Sequence, residues 1–128
     1  MQIKTIPYDF SVCKVADYSQ TDMDSGFCFI GRTDEENSLV CLTDKVPGNA
    51  VACENGWRAF RIQGILDFSL IGILSGISAL LADNGIGIFA VSTYNTDYIF
   101  TKRETYGKAL EVLVKAGYQV VSCAEPEC

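Results

Sequence analysis

The sequence predicts an α+β fold in which antiparallel sheets carry their helices on one face. The first observation is that the second half of the chain changes from a two-residue period to a helical period and back, in the order strand, helix, strand, strand, helix, strand. The second is that this order is typical of a split βαβ arrangement, a four-stranded antiparallel sheet with both helices on one side. The third is that the first half has strand-like runs without a convincing helical period.

The first half consists of strand candidates joined by polar turns. Three strands are predicted, at residues 10–15, 27–32 and 39–43. The polar run 34–37 and the Val-Pro-Gly-Asn run 46–49 interrupt the pattern. We expect at most a short helical turn, near residues 17–23 or 46–51. The first half therefore looks like a reduced version of the second, with its strands kept and its helices shortened.

A strand and a helix open the second half. Residues 57–62 have a period of two, which predicts a half-buried strand that ends at Gly64. A helix follows, because apolar residues recur at three- and four-residue spacing, at Ile73, Leu74, Ile77 and Leu81. Asp67 or Ser69 can cap its start, and Gly85 can adopt the left-handed conformation just past its end.

Three more strands and a second helix complete the pattern. The strands are predicted at residues 86–92, 98–101 and 118–122. Thr101 to Glu104 matches a capping box. The helix that it opens has an apolar face made of Tyr106, Ala109, Leu110, Leu113 and Ala116. Gly117 is expected to close this helix.

The charge and the hydropathy pattern exclude several classes of partner. The formal net charge of −6 repels phosphate backbones and anionic lipids, so neither nucleic acid nor a membrane is an expected partner. The longest nearly uncharged run, residues 68–82, is too short to span a bilayer. The first residues lack an apolar leader with a small-residue cleavage site behind it. We expect a soluble, cytoplasmic protein.

The cysteines and the absence of histidine limit the chemistry that the chain can perform. The cysteines are Cys13, Cys28, Cys41, Cys53, Cys123 and Cys128. They form no CxxC pair and most lie in apolar runs, so we interpret four of the six as small buried hydrophobic residues. No metal and no cofactor is expected, and without histidine the commonest general base is missing. We predict that the protein is not an enzyme; an enzyme that uses Cys13, Cys53 or a carboxylate is the alternative left open.

A polar segment interrupts the most hydrophobic stretch of the chain. Residues 85–100 read GIGIFAVSTYNTDYIF, and polar side chains occupy every position from Ser92 to Asp97. One interpretation is a simple hairpin turn, with Asn95 in the left-handed region and Asp97 bonded to its own backbone. The other is a binding segment, because a turn needs only two or three such groups.

Three segments resemble the ACT-domain family. They are GWRAFRIQG, then LDFSLIGILSGISALLADNGIGIFAVSTYNTDYIF, and before both of them RTDEENSLVC at residues 32–41. Within the family, the chain is similar to prokaryotic tandem-ACT proteins of unassigned function that are related to the ACT domains of aspartate kinases and cytosolic arginine sensors. The resemblance implies two ferredoxin-like ACT units, a degenerate one at residues 1–56 and a complete one at residues 57–128. It also implies a regulatory protein that binds a small molecule, an amino acid, where ACT units meet.

The family resemblance also implies a site at the loop between the first strand and the first helix of the complete unit. The residues concerned are Asp67, Ser69, Leu70, Ile71, Gly72 and Ile73. A helix N-terminus carries roughly half a positive charge and unpaired N–H groups, which suit a carboxylate. Gly72 would let the ligand approach the main chain; alternatively it only permits close packing of helix on sheet.

The polar segment supplies the remaining candidate ligand contacts. Thr93, Tyr94, Asn95 and Asp97 offer donors for a carboxylate and acceptors for an ammonium group, with Asp97 the anion expected to face the ammonium. Arginine sensors carry an acidic residue where this chain has Leu70, which favours a small neutral or hydrophobic amino acid here. The alternative is an interaction module with a degenerate pocket. A homodimer is expected in either case, and the output requires a further protein partner or a change of oligomeric state.

Overall fold

The computed structural model describes residues 2–63 and 72–122, and these residues confirm the predicted α+β class. The elements are β1 (Gln2–Val15), β2 (Cys28–Arg32), β3 (Asn37–Leu42), a 3-10 turn (Thr43–Lys45), β4 (Ala50–Gln63), α1 (Ile73–Asp83), β5 (Ile88–Ser92), β6 (Asp97–Lys102), α2 (Arg103–Lys115) and β7 (Gln119–Val121). The chain divides into two compact units, which we name the strand unit (Tyr8–Trp57) and the helical unit (Met1–Pro7 with Arg58–Cys128). The domain boundary at residues 56 and 57 stays a prediction, and the first residues of β1 belong to the helical unit.

The strand unit has four neighbouring strands in the order β2, β3, β1, β4. Both β1 and β2 run antiparallel to β3, with Phe10 opposite Leu42 and Cys28 opposite Cys41. The helical turn expected near residues 46–51 lies slightly earlier, at Thr43–Lys45, and it stops before Pro47. The predicted strands are present, and the described residues between β1 and β2 form turns and bends rather than a helix.

A small core holds the strand unit together. Its buried members are Cys13, Val15, Leu39 and Cys41, and partly buried Tyr18, Cys28, Val46 and Ala50 pack against them. Tyr18 comes from the segment between β1 and β2, and its hydroxyl donates a hydrogen bond to the Ser38 carbonyl at 2.9 Å. Loop side chains therefore cover this face of the sheet.

The helical unit contains strands in the order β7, β1, β4, β6, β5. β7 runs parallel to the start of β1, and β5 runs antiparallel to β6. One core joins both helices to the sheet, and its buried residues are Ile3, Phe60, Ile62, Ile77, Leu81, Ile86, Ile99, Ala109 and Leu113. Because residues of both helices share this core with the sheet, α1 and α2 lie on the same face, as the split βαβ pattern predicts.

Both helices end as the sequence predicts. Gly85 and Gly117 have φ angles of 72° and 100°, in the left-handed region. The N–H of Ile86 reaches back to the Leu81 carbonyl at 2.9 Å, and the N–H of Tyr118 makes the matching bond to Leu113 at 3.1 Å. These bonds are those of the Schellman motif, so the helix stops in the sequence are confirmed.

The start of α2 differs from the predicted capping box. The helix has Lys102 at its N-cap, in an extended conformation and without a side-chain capping bond. Thr101 is fully buried and its hydroxyl donates to the Lys102 carbonyl at 3.1 Å. Thr101 pairs with Ile88 of β5 and lies two residues after Ile99 on β6, so its side chain shares the core face with Ile99. It points into the protein and cannot cap the helix.

The two hairpins repeat each other. In β2 and β3 the last pair is Arg32 with Asn37, and in β5 and β6 it is Ser92 with Asp97. Each four-residue loop is closed by the same backbone bond, Thr33 N–H to the Glu36 carbonyl at 2.9 Å and Thr93 N–H to the Thr96 carbonyl at 2.8 Å. The two loops share the backbone register and the threonine at their first position, Thr33 and Thr93, and differ at the other three positions.

Candidate functional site

The polar segment predicted from the sequence forms the loop between β5 and β6. Thr93 donates from both its N–H and its hydroxyl to the Thr96 carbonyl, at 2.8 and 2.9 Å. Thr96 is only 7% exposed, and its own hydroxyl donates to the Ile62 carbonyl at 2.7 Å. Part of the polar segment is therefore structural, because it closes the hairpin and ties the loop to the end of β4.

A hollow of about 350 Å³ lies where this loop meets the end of β4. It is lined by Arg61, Ile62, Gln63, Thr93, Asn95, Thr96 and Tyr98, all within the helical unit. The lining is mostly polar and neutral. Among the described lining residues, Arg61 is the one that carries a formal charge.

Arg61 is positioned by strand alternation and by two neighbouring side chains. It lies between Phe60 and Ile62, which face the helices, so its side chain is on the opposite face of the sheet. Its Nη1 donates to the Tyr98 hydroxyl at 3.1 Å, and its Nε donates to Gln63 Oε1 at 3.4 Å. The guanidinium carbon lies 5.8 Å from the centre of the Tyr98 ring. These contacts orient the guanidinium at the hollow.

No carboxylate among residues 2–63 and 72–122 forms an ion pair with Arg61. Its two neighbours in the hollow, Gln63 and Tyr98, are neutral groups. A guanidinium has five donors, and the hydrogen bonds to these two residues use only part of that capacity. The hollow can therefore accept an anionic oxygen without displacing a carboxylate of the described residues.

Two of the four predicted hairpin contacts reach the hollow. Thr93 and Asn95 line it. Tyr94 is 99% exposed and points away from it.

Asp97 does not line the hollow with the other described residues. It begins β6, directly opposite Ser92 of β5, and its Oδ1 accepts a hydrogen bond from the Ser92 hydroxyl at 2.5 Å. Tyr98, the next residue along the strand, faces the hollow, so Asp97 points to the other face. This arrangement agrees with a structural role for Asp97 rather than with contact to a ligand ammonium.

The predicted loop before α1 falls mostly outside the described residues. Asp67, Ser69, Leu70 and Ile71 lie there, and their assignment to the site stays a prediction. Ile73 opens α1 and lines a different hollow of about 260 Å³, together with Ala116, Gly117 and Tyr118.

Gly72 is the N-cap of α1, with φ 85° and ψ 10°. A Cβ built at this position meets no described atom within 4 Å. The described residues therefore give no close contact that would require a glycine at this position. The left-handed backbone is by itself a reason for glycine at residue 72.

Sequence reasoning missed Arg61, Gln63 and Tyr98 as site residues. Residues 57–62 were assigned to a strand, and two-residue alternation from Ala59 places Arg61 and Gln63 on one face. The sequence does not show which strands pair. Arg61 meets Tyr98 because β4 and β6 are neighbours in the sheet.

The described residues contain neither a cluster of metal-binding side chains nor a helix that could span a membrane. No group of three or more cysteine, aspartate or glutamate side chains in the described part of the chain is arranged to hold a metal ion. Across residues 2–63 and 72–122, neither helix is long and apolar enough to cross a membrane.

Comparison with known proteins gives one family and a set of related folds. A family model for the ACT domain matches residues 52–115. No curated protein matches the chain. A crystal structure of a protein from Agobacterium tumefaciens is 30% identical, with a TM-score of 0.85, and the match covers 97% of this chain and 94% of that one.

Two more distant solved structures share the fold alone. A protein of unknown function from Vibrio cholerae is 20% identical with a TM-score of 0.66, covering 89% of this chain and 88% of its own. The regulatory subunit of aspartate kinase from Thermus thermophilus is 9% identical with a TM-score of 0.63, covering 91% of this chain and 97% of its own.

Proposed function

Because the chain belongs to the ACT-domain family, we propose that it is a regulatory protein that binds an amino acid in the hollow beside the β5–β6 hairpin. The observation that carries this proposal is Arg61, an oriented guanidinium without a carboxylate partner among the described residues. The role is one of binding rather than catalysis. The structural similarity to the regulatory subunit of an aspartate kinase supports a role in ligand-dependent regulation.

Arg61 would hold the α-carboxylate of the ligand. A planar guanidinium binds a carboxylate through two parallel N–H bonds, which gives both affinity and orientation. Thr93 and Asn95 offer hydroxyl and amide groups from the rim, and the amide oxygen can accept from the ligand ammonium. The volume of about 350 Å³ is at the small end of the range for ligand pockets, which suits an amino acid.

The lining favours a ligand with a neutral side chain. The Tyr98 ring supplies apolar surface, while none of the described lining residues is acidic. A lysine or arginine ligand would bury a second positive charge near Arg61, which is unfavourable. A small neutral or hydrophobic amino acid is therefore the proposed ligand, in agreement with Leu70 in the loop before α1.

The strand unit would be a second, reduced ACT unit. Its four strands and its hairpin have the register of the corresponding hairpin in the helical unit. The positions where an ACT unit carries helices hold a loop after β1 and the 3-10 turn after β3. This supports two ferredoxin-like units in tandem, the first of them degenerate.

The functional form would be a homodimer that passes its signal to another protein. Among the described strands, the short β7 pairs with β1 only. Beside it, Leu110, Val114 and Val120 line a hollow of about 310 Å³, with Glu111 and Lys115 at the same hollow. Val114 is 54% exposed, and an edge strand beside exposed apolar residues suits pairing with a second copy.

The amino-acid proposal is tested by thermal denaturation with each of the twenty amino acids at millimolar concentration. At least one neutral amino acid is expected to raise the melting temperature, because binding at a hundredfold excess over Kd stabilises the folded state by about 2.7 kcal/mol. Arg61→Gln is expected to abolish the shift. Arg32→Gln, which changes an exposed arginine on β2, is the matched control and should retain it.

Two results would contradict the proposal in different ways. A shift that survives Arg61→Gln would mean that an amino acid binds elsewhere. No shift with any amino acid would favour the alternative, a non-enzymatic interaction module whose polar loop only closes its own hairpin, as the bonds between Thr93 and Thr96 allow.

A further inference from the structure

Four cysteines share one face of the strand unit. Cys28 and Cys41 are directly opposite each other on β2 and β3. Cys13 on β1 belongs to the same buried core as Cys41. Cys53 on β4 comes next, with its Sγ atom 3.4 Å from Cys13 Sγ. All four are free thiols.

Cys13 and Cys53 have the geometry of a cross-strand pair. Next to them Ser11 donates a hydrogen bond to Asn55 Oδ1 at 2.6 Å. From one contact to the other the residue number rises by two on β1 and falls by two on the neighbouring β4, which indicates antiparallel pairing with Cys13 opposite Cys53. Directly opposed residues of neighbouring strands have Cβ atoms about 4.5 to 5.5 Å apart, close to the spacing of about 3.5 to 4.5 Å that a disulfide needs. Small side-chain rotations would bring the sulfurs from 3.4 Å to bonding distance, about 2.0 Å.

The two thiols differ in their access to reagents. Cys53 is exposed, whereas Cys13 is 3% exposed. Both line a hollow of about 350 Å³ on the surface of the strand unit, with Lys14, Glu36 and Glu54 among its other residues. Burial, with the hydrogen bond to Cys53, raises the pKa of the Cys13 thiol well above its ordinary value. Cys53 is therefore the thiol that meets an oxidant first.

We propose that Cys13 and Cys53 are an oxidation site. Low-molecular-weight disulfides such as oxidised glutathione oxidise the two thiols to a reversible disulfide between Cys13 and Cys53. The Cys53 thiolate attacks one sulfur of the reagent, which forms a mixed disulfide and releases one thiolate. Cys13 then loses its proton to solvent and attacks Cys53 Sγ, which breaks the mixed disulfide and releases the second thiol. Two protein thiols are oxidised and one reagent disulfide is reduced to two thiols.

This site lies in the strand unit and does not depend on the amino-acid proposal. The bond would join β1 to β4 at residues that already neighbour each other, so the folded structure changes little. It would restrict the unfolded chain, so the oxidised protein is expected to melt at a higher temperature than the reduced protein. Reduction by dithiothreitol should reverse this difference.

Peptide mapping tests the proposal directly. The protein carries Cys123→Ser and Cys128→Ser, which removes the two cysteines outside the described residues. It is treated with oxidised glutathione, alkylated with iodoacetamide and digested with trypsin. Cleavage after Lys14, Arg32 and Lys45 separates Cys13, Cys28, Cys41 and Cys53 into four different peptides. The expected product is a single linked pair that contains Cys13 and Cys53.

Two variants and a rate measurement complete the test. Cys53→Ser should abolish the link, and since Cys53 is exposed this variant is expected to fold normally. Cys28→Ser is the matched control and should retain the link. Closure should accelerate as the pH rises, because the buried Cys13 must lose its proton. A mixed disulfide that persists on Cys53, or a preferred link between Cys13 and Cys41, would overturn the proposal.

Discussion

Tyr106 shows at the residue scale how one polar atom is satisfied inside the helical core. Its hydroxyl donates to the Ala59 carbonyl at 2.6 Å, and its ring packs near Phe60. Burial raises the pKa of Tyr106 to about 12, despite smaller opposing effects of the Ile6 backbone and Arg58. The phenol thus connects α2 to β4 in its neutral form.

The raised pKa of Tyr106 predicts a pH dependence of stability. Above pH 10 the unfolded chain releases the phenol proton while the folded protein retains it, so the contribution present below pH 10 is lost as the pH rises towards 12. The loss should reach roughly 2 kcal/mol. Urea unfolding of the wild type and Tyr106→Phe measures it, and the difference between the two should shrink over this range. A constant difference would contradict the assignment.

Arg61 illustrates the limit of residue-level reasoning. The sequence shows that residue 61 is an arginine within a predicted strand, but it does not show which side chains lie next to it in the folded protein. The bond to Tyr98 joins residues on β4 and β6, which are separated in the chain by α1 and β5. A residue becomes a site residue only when strand order gives it those neighbours.

The start of α1 shows at the element scale how a backbone conformation replaces a capping side chain. Gly72 occupies the N-cap in the left-handed region and makes no side-chain capping bond. The first backbone bond of the helix runs from the Gly76 N–H to the Gly72 carbonyl at 2.7 Å. The two glycines share a helix turn but have opposite conformational requirements.

Substitution of each glycine by alanine should therefore have opposite effects. Gly72→Ala is expected to destabilise the protein by about 1 kcal/mol, because a Cβ in the left-handed region is strained. Gly76→Ala should stabilise it by up to about 1 kcal/mol, because Gly76 is exposed inside the helix and a Cβ there meets no described atom. Urea denaturation midpoints measure both changes. Equal effects of the two variants would contradict this account of Gly72.

At the scale of the whole molecule, the proposed dimer depends on the apolar surface of α2 and β7. Native mass spectrometry is expected to find two copies in the wild type and one in Val114→Glu, since a buried unpaired carboxylate in the interface is unfavourable. Val51→Glu is the matched control, because Val51 is 65% exposed on the strand unit. A monomeric wild type would contradict this interface. So would a protein that stays dimeric in Val114→Glu and becomes monomeric in Val51→Glu.

The sequence by itself determined the local structure of this protein. The apolar spacing of Ile73, Ile77 and Leu81 is a property of neighbouring residues, and so is the glycine that ends each helix. Strand alternation likewise depends on adjacent positions. These patterns depend on residues a few positions apart in the chain, so they can be recognised without knowledge of the fold.

Only the tertiary structure decided which of those elements meet. It buried Thr101 where a helix cap was predicted, turned Asp97 away from the hollow, and brought Arg61, Thr93 and Tyr98 together. It also brought Cys13 within 3.4 Å of Cys53 across two strands. The physical reason is that strand order and register depend on packing across the whole sheet, whereas periodicity depends on the local chain.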